Sequence, residues 1–98
     1  MATGIHMTLA EGFGTDDYMA VNNALDVGNN PIPGLIFHQG VEMEGRVHVY
    51  DVWESREAFD TFLEGRLGPT IAATVGEERM GEGPPEIDEY ALIDYIKG

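Results

Sequence analysis

The spacing of apolar and polar residues along the chain predicts four β-strands. Apolar residues alternate with polar ones at the start of 5–10, which is the period of a half-buried strand. Strands over 35–41 and 46–53 are predicted to form a hairpin, because Gly45 supplies the positive φ that a tight turn needs. The fourth strand is predicted over 87–96, a stretch rich in Tyr, Ile and Leu.

A first helix is predicted between the first two strands. Thr15 is a favourable N-cap residue, since its hydroxyl can accept a hydrogen bond from the first turn. Tyr18, Val21 and Leu25 then recur at helical spacing and form an apolar stripe, which indicates packing residues. Gly28 suits the left-handed position at the C-terminal end.

A second helix is predicted after the third strand, with Ser55 as its N-cap. We expect this helix to end at Gly68 and Pro69, because proline lacks the N–H that an interior helical turn uses. Pro69 is then expected to begin another turn or two as far as Val75. Residues 77–85 are predicted to be irregular. The apolar stripe of the second helix consists of Phe59, Phe62, Leu63 and Leu67.

The order strand, helix, strand, strand, helix, strand fits an α+β fold of the ferredoxin-like βαββαβ type, with helices on one face of an antiparallel sheet. The length of 98 residues, without a repeat or linker, indicates one domain over 1–98. The second face of the sheet would be bare and apolar, which is unusual for a monomer. A second copy of the chain is the simplest cover, so we expect a homodimer.

Composition narrows the classes of partner. Eighteen Asp and Glu residues oppose five Lys and Arg residues, for a formal net charge of −13. This charge disfavours nucleic acids and anionic membranes, because phosphate groups are bound by clustered cations. The absence of Cys excludes a disulfide scaffold, a thiolate metal site and a Cys nucleophile. No apolar run or basic leader indicates a membrane span or a signal peptide, so a cytoplasmic protein is expected.

The segment 51–59, DVWESREAF, resembles the strand-to-helix junction of the antibiotic-biosynthesis monooxygenase-like proteins, which are small dimeric α/β barrels. Segments 33–38 and 62–69 resemble a neighbouring, unassigned actinobacterial subgroup. The resemblance implies a homodimer in which two four-stranded sheets pack face to face. Among characterised relatives are quinone-forming oxygenases that need no cofactor, and we expect none here.

Haem-degrading oxygenases form another branch of these barrels. That branch uses a strand Asn, a Trp at the same junction and a His on the second helix. Trp53 matches the junction Trp, but 56–76 contain no His, and the first strand carries His6 where the Asn would be needed. Haem degradation is therefore not expected.

His38 is the first candidate for chemistry. An imidazole changes charge near neutral pH, so it can act as a general base towards an acidic phenol or enol. The alternative is a histidine whose ring nitrogens are satisfied within the sheet or the dimer seam. If Met43 and Glu44 form a two-residue turn, His38 faces Val49 and shares its sheet face with Asp51 and Trp53. If Gly45 makes a bulged three-residue turn, His38 instead faces Tyr50, with His48 on that face.

Each neighbour would give His38 a different role. An Asp51 partner suits base catalysis, whereas Tyr50 suits hydrogen bonding to a quinol oxygen. No spacing of histidines matches a metal site, so none is predicted. The candidate ligand-binding residues, in an apolar pocket expected between sheet and helices, are Trp53, Phe37 and Phe59.

Two functions fit these residues. The first is a cofactor-independent oxygenase-like enzyme that acts on a small aromatic or polyketide-like phenol, as the Trp53 junction suggests. The second is a non-catalytic homodimeric barrel that binds a small apolar ligand or serves as an interaction module. The lack of a recognisable acid–base motif in the sequence favours the second.

Overall fold

The four strands form one antiparallel sheet that is covered by helices on one face. A computed structural model describes residues 2–76 and 85–96. The ferredoxin-like α+β prediction is confirmed. Most of the irregular segment predicted over 77–85 lies outside the described residues. The elements are β1 (Thr3–Thr8), α1 (Thr15–Leu25), β2 (Leu35–Met43), β3 (Arg46–Trp53), α2 (Arg56–Phe62), a π-helical turn (Leu63–Leu67), α3 (Gly68–Thr74) and β4 (Glu86–Ala91). The strand order in the sheet is β2-β3-β1-β4.

Both ends of α1 differ from the prediction by one or two residues. The N-cap is Gly14 instead of Thr15, and the Asp17 carboxylate accepts a hydrogen bond of 3.0 Å from the Gly14 N–H. The left-handed C-terminal residue is Asp26, at φ 49°, instead of Gly28. Asp tolerates this conformation, and its carboxylate oxygens each accept from the Asn29 side chain at 3.1 Å.

The break predicted at Gly68 and Pro69 is wrong, because the chain remains helical through this point. Ser55 does cap α2, since its hydroxyl oxygen accepts from the Ala58 N–H at 3.1 Å. The Gly68 N–H then donates to the Leu63 carbonyl, five residues earlier, which is the hydrogen bond of a π-helix. Pro69 consequently lies in the first turn of α3, directly after the π-helical turn.

The hairpin between β2 and β3 has a register that neither prediction gave. Glu44 and Gly45 form the two-residue turn, at φ 53° and 79°, so the turn lies one residue later than the two-residue alternative had it. His38 therefore pairs with Asp51, not with Val49 or Tyr50. The observed partner, Asp51, lies two residues after Val49 on β3 and therefore on the same face of the sheet. His38 is thus on the face that the two-residue alternative predicts.

Strand β4 ends earlier than predicted. Ala91 pairs with Thr3 at the first residue of β1, so residues after Ala91 have no partner on that strand. Ile93 and Ile96 are accordingly exposed. The described helices include none that is long and apolar enough to cross a membrane.

The core lies between the helices and one face of the sheet. Trp53, Phe59 and Ile5 form a small, almost fully buried cluster beside the start of α2. Alternate residues of the strands point to the opposite face, where Phe37 and Met43 are 48% and 41% exposed. The larger cluster consists of Met7, Leu9, Phe13, Val21, Leu25, Val47, Val49 and Leu67.

Candidate active site

An apolar cavity of about 150 Å³ lies between the helices and the sheet. Its wall is built mostly from the core, and the polar side chains that reach it are Tyr18, Asn22, His38 and Asp51. None of the described residues that line it is a Lys or an Arg. An apolar cavity of this size can hold a single aromatic ring and tends to exclude water.

A chain of hydrogen bonds runs along the cavity wall from the core to the edge of the sheet. The indole N–H of Trp53 donates to Asp51 Oδ2 at 3.1 Å. The other carboxylate oxygen of Asp51, Oδ1, lies 2.7 Å from Nδ1 of His38. At the far end, Nε2 of His38 lies 2.6 Å from the hydroxyl oxygen of Tyr18. Strands β3 and β2 and helix α1 thus each contribute to one network.

These partners determine where the protons lie. A carboxylate only accepts hydrogen bonds, so Nδ1 of His38 donates to Asp51. A neutral imidazole that donates from Nδ1 carries a lone pair on Nε2, and the Tyr18 hydroxyl therefore donates to it. In its neutral form His38 thus donates on one side of the ring and accepts on the other.

Asp51 is 4% exposed, and its charge is therefore costly to bury without partners. The Trp53 N–H and the His38 N–H satisfy one oxygen each. The His38 side chain is 36% exposed and so remains reachable from outside. A buried carboxylate behind an accessible imidazole is an arrangement suited to general base catalysis.

Tyr18 acts as a hydrogen-bond donor in this network. Burial, and secondarily the negative charge of Asp51, raises the pKa of the Tyr18 hydroxyl above its ordinary value. The ring tip of Tyr18 lies directly over Gly40 of β2, too close for any side chain at that position. Gly40 is thus the residue that allows Tyr18 to reach His38.

The structure brings some of the predicted ligand-binding residues to the cavity and not others. Trp53 and Phe59 lie in its wall, with ring centroids 5.6 Å apart in an edge-to-face contact. Phe37 pairs with Val52 and is turned to the open face of the sheet. Tyr50 is also on the open face, since strand alternation places it opposite to Asp51.

The open face holds a second group of histidines. Nε2 of His6 lies 3.0 Å from Nδ1 of His48, and the Thr8 hydroxyl lies within 3.4 Å of both. The Tyr50 ring stacks on His6 with centroids 4.4 Å apart. Among residues 2–76 and 85–96, no group of three or more His, Cys, Asp or Glu side chains is arranged to hold a metal ion.

Sequence reasoning missed Tyr18 and Gly40. The helical spacing places Tyr18 in the apolar stripe of the first helix, and this pattern gives no indication of a hydrogen-bonding role. Gly40 did carry a signal, because a glycine in the middle of a strand often marks the close approach of another group.

No protein-family model and no curated protein matches the chain. Solved structures do match over nearly its whole length. A proposed antibiotic biosynthesis monooxygenase from Caulobacter crescentus is 15% identical with a TM-score of 0.68, covering 95% of this chain and 91% of that one. A mutant of SnoaB, a cofactor-independent oxygenase from Streptomyces nogalater, is 14% identical with a TM-score of 0.60, covering 99% and 97%.

A third similar structure is a mutant of MhuD with two manganese protoporphyrin IX molecules bound per active site. It is 22% identical with a TM-score of 0.58, and 100% of each chain is covered. At these identities the likeness concerns the fold. The chain has the fold of the antibiotic-biosynthesis monooxygenase-like proteins, which confirms the resemblance drawn from 51–59.

Proposed function

We propose that this protein is an enzyme that removes a proton from a small, uncharged phenol or enol, as the first step of an oxygenation without a cofactor. One observation carries the proposal. His38 is held between the buried carboxylate of Asp51 and a tyrosine, at the wall of an apolar cavity. The proposed base is the His38–Asp51 pair, in which Asp51 orients the ring and stabilises the imidazolium.

The cavity supports an uncharged aromatic ligand. Its apolar wall favours a ring, and the aromatic rings of Trp53 and Phe59 are part of that wall. A volume of about 150 Å³ suits one ring and is far too small for a tetrapyrrole. This size agrees with the expectation that haem is not the substrate.

The arginines of the described residues also argue against an anionic ligand. Arg46 donates to the Leu9 carbonyl, at distances of 2.7 and 3.2 Å. Arg66 donates to three carbonyls that end α1 and the following loop, and Arg56 is paired with Asp60 and Glu89. Each of these cations is used to hold the chain together, and none of them lines the cavity.

Deprotonation is the step that would make such a substrate reactive towards oxygen. A phenolate or enolate is electron-rich and can be oxidised directly by O₂. When a phenol is oxidised to a quinone, one hydrogen leaves the ring carbon and one leaves the hydroxyl, the ring carbon gains one oxygen atom of O₂, and the second oxygen atom leaves as water with the two hydrogens. The similar structure of SnoaB, described as a cofactor-independent oxygenase, supports this class of reaction.

Oxygen uptake tests the proposal. We expect the protein to consume O₂ with at least one member of a panel of hydroquinones, naphthols and anthrone-type quinols. His38→Gln should lower the rate by on the order of a hundredfold, the usual contribution of a general base. The matched control is His48→Gln on the open face, which should keep the wild-type rate.

Two results contradict the proposal. One is a panel in which no phenol is bound and no oxygen is consumed. The other is a His38→Gln variant that is folded and as active as wild type. Binding of phenols without any oxygen uptake would instead favour the non-catalytic, ligand-binding barrel.

A further inference from the structure

We propose that Tyr18, not His38, is the group that touches the substrate, and that it relays the substrate proton to His38. The inference rests on the proposed function and adds a catalytic residue to it. Tyr18 would be the substrate-facing member of a Tyr18–His38–Asp51 relay, and its ligands would be phenols and enols that donate a hydrogen bond.

Both ring nitrogens of His38 are already engaged. Nδ1 donates to Asp51 at 2.7 Å, and the single lone pair on Nε2 accepts from Tyr18 at 2.6 Å. A substrate hydroxyl therefore finds no free nitrogen on His38. It could reach the imidazole only by displacing Tyr18, whose ring is seated over Gly40.

Tyr18 has the acceptor that His38 lacks. A phenolic oxygen donates one hydrogen bond and can still accept another. Its hydrogen points to Nε2 of His38, so a lone pair on the oxygen stays available on a residue that lines the cavity. A substrate O–H that donates to this oxygen would be aligned with the rest of the chain of hydrogen bonds.

The proton transfer can be written without any further reactant. The substrate O–H bond breaks, and its proton forms a bond with the Tyr18 oxygen. At the same time the Tyr18 O–H bond breaks, and that proton forms a bond with Nε2 of His38. The products are a substrate phenolate that accepts a hydrogen bond from Tyr18 and an imidazolium that faces Asp51, so one proton has moved and no electrons are exchanged.

The raised pKa of Tyr18 agrees with this role. Burial keeps the hydroxyl protonated, so Tyr18 does not itself store a negative charge at neutral pH. It passes a proton to a better base instead. The negative charge of Asp51 lies behind His38 and favours the movement of positive charge to the imidazole.

Gly40 provides a way to test Tyr18 without removing its hydroxyl. A methyl group at this position would meet the tip of the Tyr18 ring, which is the movable end of a side chain. Gly40 has no positive φ, so alanine is compatible with the backbone. Gly40→Ala should therefore push the hydroxyl away from His38 while all four side chains of the network remain.

The probe for the test is para-nitrophenol, because its phenolate absorbs visible light and its neutral form does not. We expect wild-type protein to bind the dye and to raise its phenolate fraction, at a pH where the free dye is largely neutral. In Tyr18→Phe and in Gly40→Ala, the ratio of bound phenolate to bound phenol should fall on the order of tenfold, as for the loss of one hydrogen bond to a charged group. Tyr50→Phe, on the open face, should match wild type.

The outcomes separate this inference from the proposed function. If wild type ionises the dye and either folded variant ionises it equally well, His38 takes the proton directly and the relay is wrong. If wild type itself does not bind or ionise the dye, the proposed function fails together with the relay. Should Tyr18→Phe not fold, as judged by circular dichroism, Gly40→Ala gives the same decision.

Discussion

The two faces of the sheet use histidine in opposite ways. On the face covered by helices, His38 has a buried carboxylate on one side and a hydroxyl on the other. On the open face, His6 and His48 point ring nitrogens at each other across 3.0 Å. The His6–His48 centroid distance of 5.2 Å and interplanar angle of 15° describe two nearly coplanar rings that meet edge to edge.

The difference lies in what each arrangement does with a proton. On the covered face, the Asp51 carboxylate accepts from Nδ1 of His38 and leaves Nε2 to the Tyr18 hydroxyl. On the open face, one of the two facing imidazole nitrogens donates and the other accepts, since two N–H groups cannot point at each other at this distance. The proton transfer that we propose lies on the covered face, whereas the two histidines of the open face hydrogen-bond each other.

The largest effect is expected from a charge placed on the open face. If two sheets pack face to face, Phe37→Asp buries a charge in the interface and should weaken the dimer by on the order of a thousandfold. Light scattering after gel filtration should report about twice the 10.7 kDa chain mass for wild type at micromolar concentration, and the chain mass for the variant. Met19→Asp, on the exposed side of α1, is the control that should stay dimeric.

A wild-type protein that is monomeric under these conditions would contradict the dimer. The open face, with Phe37 and Met43 exposed, would then need another cover.

A somewhat smaller effect, on the free energy of unfolding, is expected when a carboxylate is removed from the covered face and not from the open one. Asp51→Ala leaves the N–H groups of Trp53 and His38 without an acceptor and should lower the free energy of unfolding by about 3 kcal/mol. Asp88 lies 3.8 Å from Nδ1 of His6 with its side chain 75% exposed, so Asp88→Ala should change stability by less than about 0.5 kcal/mol. Urea unfolding at neutral pH measures the free energy of unfolding of each variant. Similar losses in Asp51→Ala and Asp88→Ala would contradict the difference between the two faces.

The smallest effect concerns alkaline pH. The pKa of Tyr18 is raised, so the folded protein keeps this hydroxyl protonated to a higher pH than the unfolded chain does. The stability that results is present below the ordinary tyrosine pKa, about 10, and is lost as pH rises through the folded value. Tyr18→Phe lacks this contribution, so its stability should fall less steeply than that of wild type between about pH 9 and 11.

Tyr90 gives a matched case on the open face. Burial raises its pKa too, with smaller contributions from the charges of Asp51 and Tyr50. Tyr90→Phe should therefore also flatten the alkaline loss of stability. Parallel stability curves for wild type and both variants, from thermal melting at each pH, would show that neither hydroxyl is linked to folding.

Local patterns were enough to predict most of the fold. Strand alternation, the Ser55 cap and the glycine turn of the hairpin each depend on neighbours in sequence, and the structure has all three. The errors occurred where a position depends on a partner. Asp26 could replace Gly28 because Asn29 hydrogen-bonds its carboxylate, and β4 stops where β1 offers no further residue.

The candidate site was harder to predict, because it joins distant residues. Only the two-residue alternative placed Asp51 on the sheet face of His38, and the observed pairing of these two residues depends on which residues occupy the turn. The contact of Tyr18 with His38 depends on how α1 is rotated over the edge of the sheet. No spacing within α1 gives that rotation, whereas the mid-strand Gly40 indicated that some group lies close there.

The π-helical turn corrects the phase of the helix in which it occurs. Leu63, Leu67, Ile71 and Val75 all pack on the larger core cluster and recur at every fourth residue. An α-helix turns about 100° per residue, so three steps of four residues would carry the last side chain about 120° away from the first. The one extra residue in the Leu63–Leu67 turn takes up most of that angle. Deleting a single residue there would return the turn to α-helical hydrogen bonding, and Ile71 should keep its place in the cavity wall.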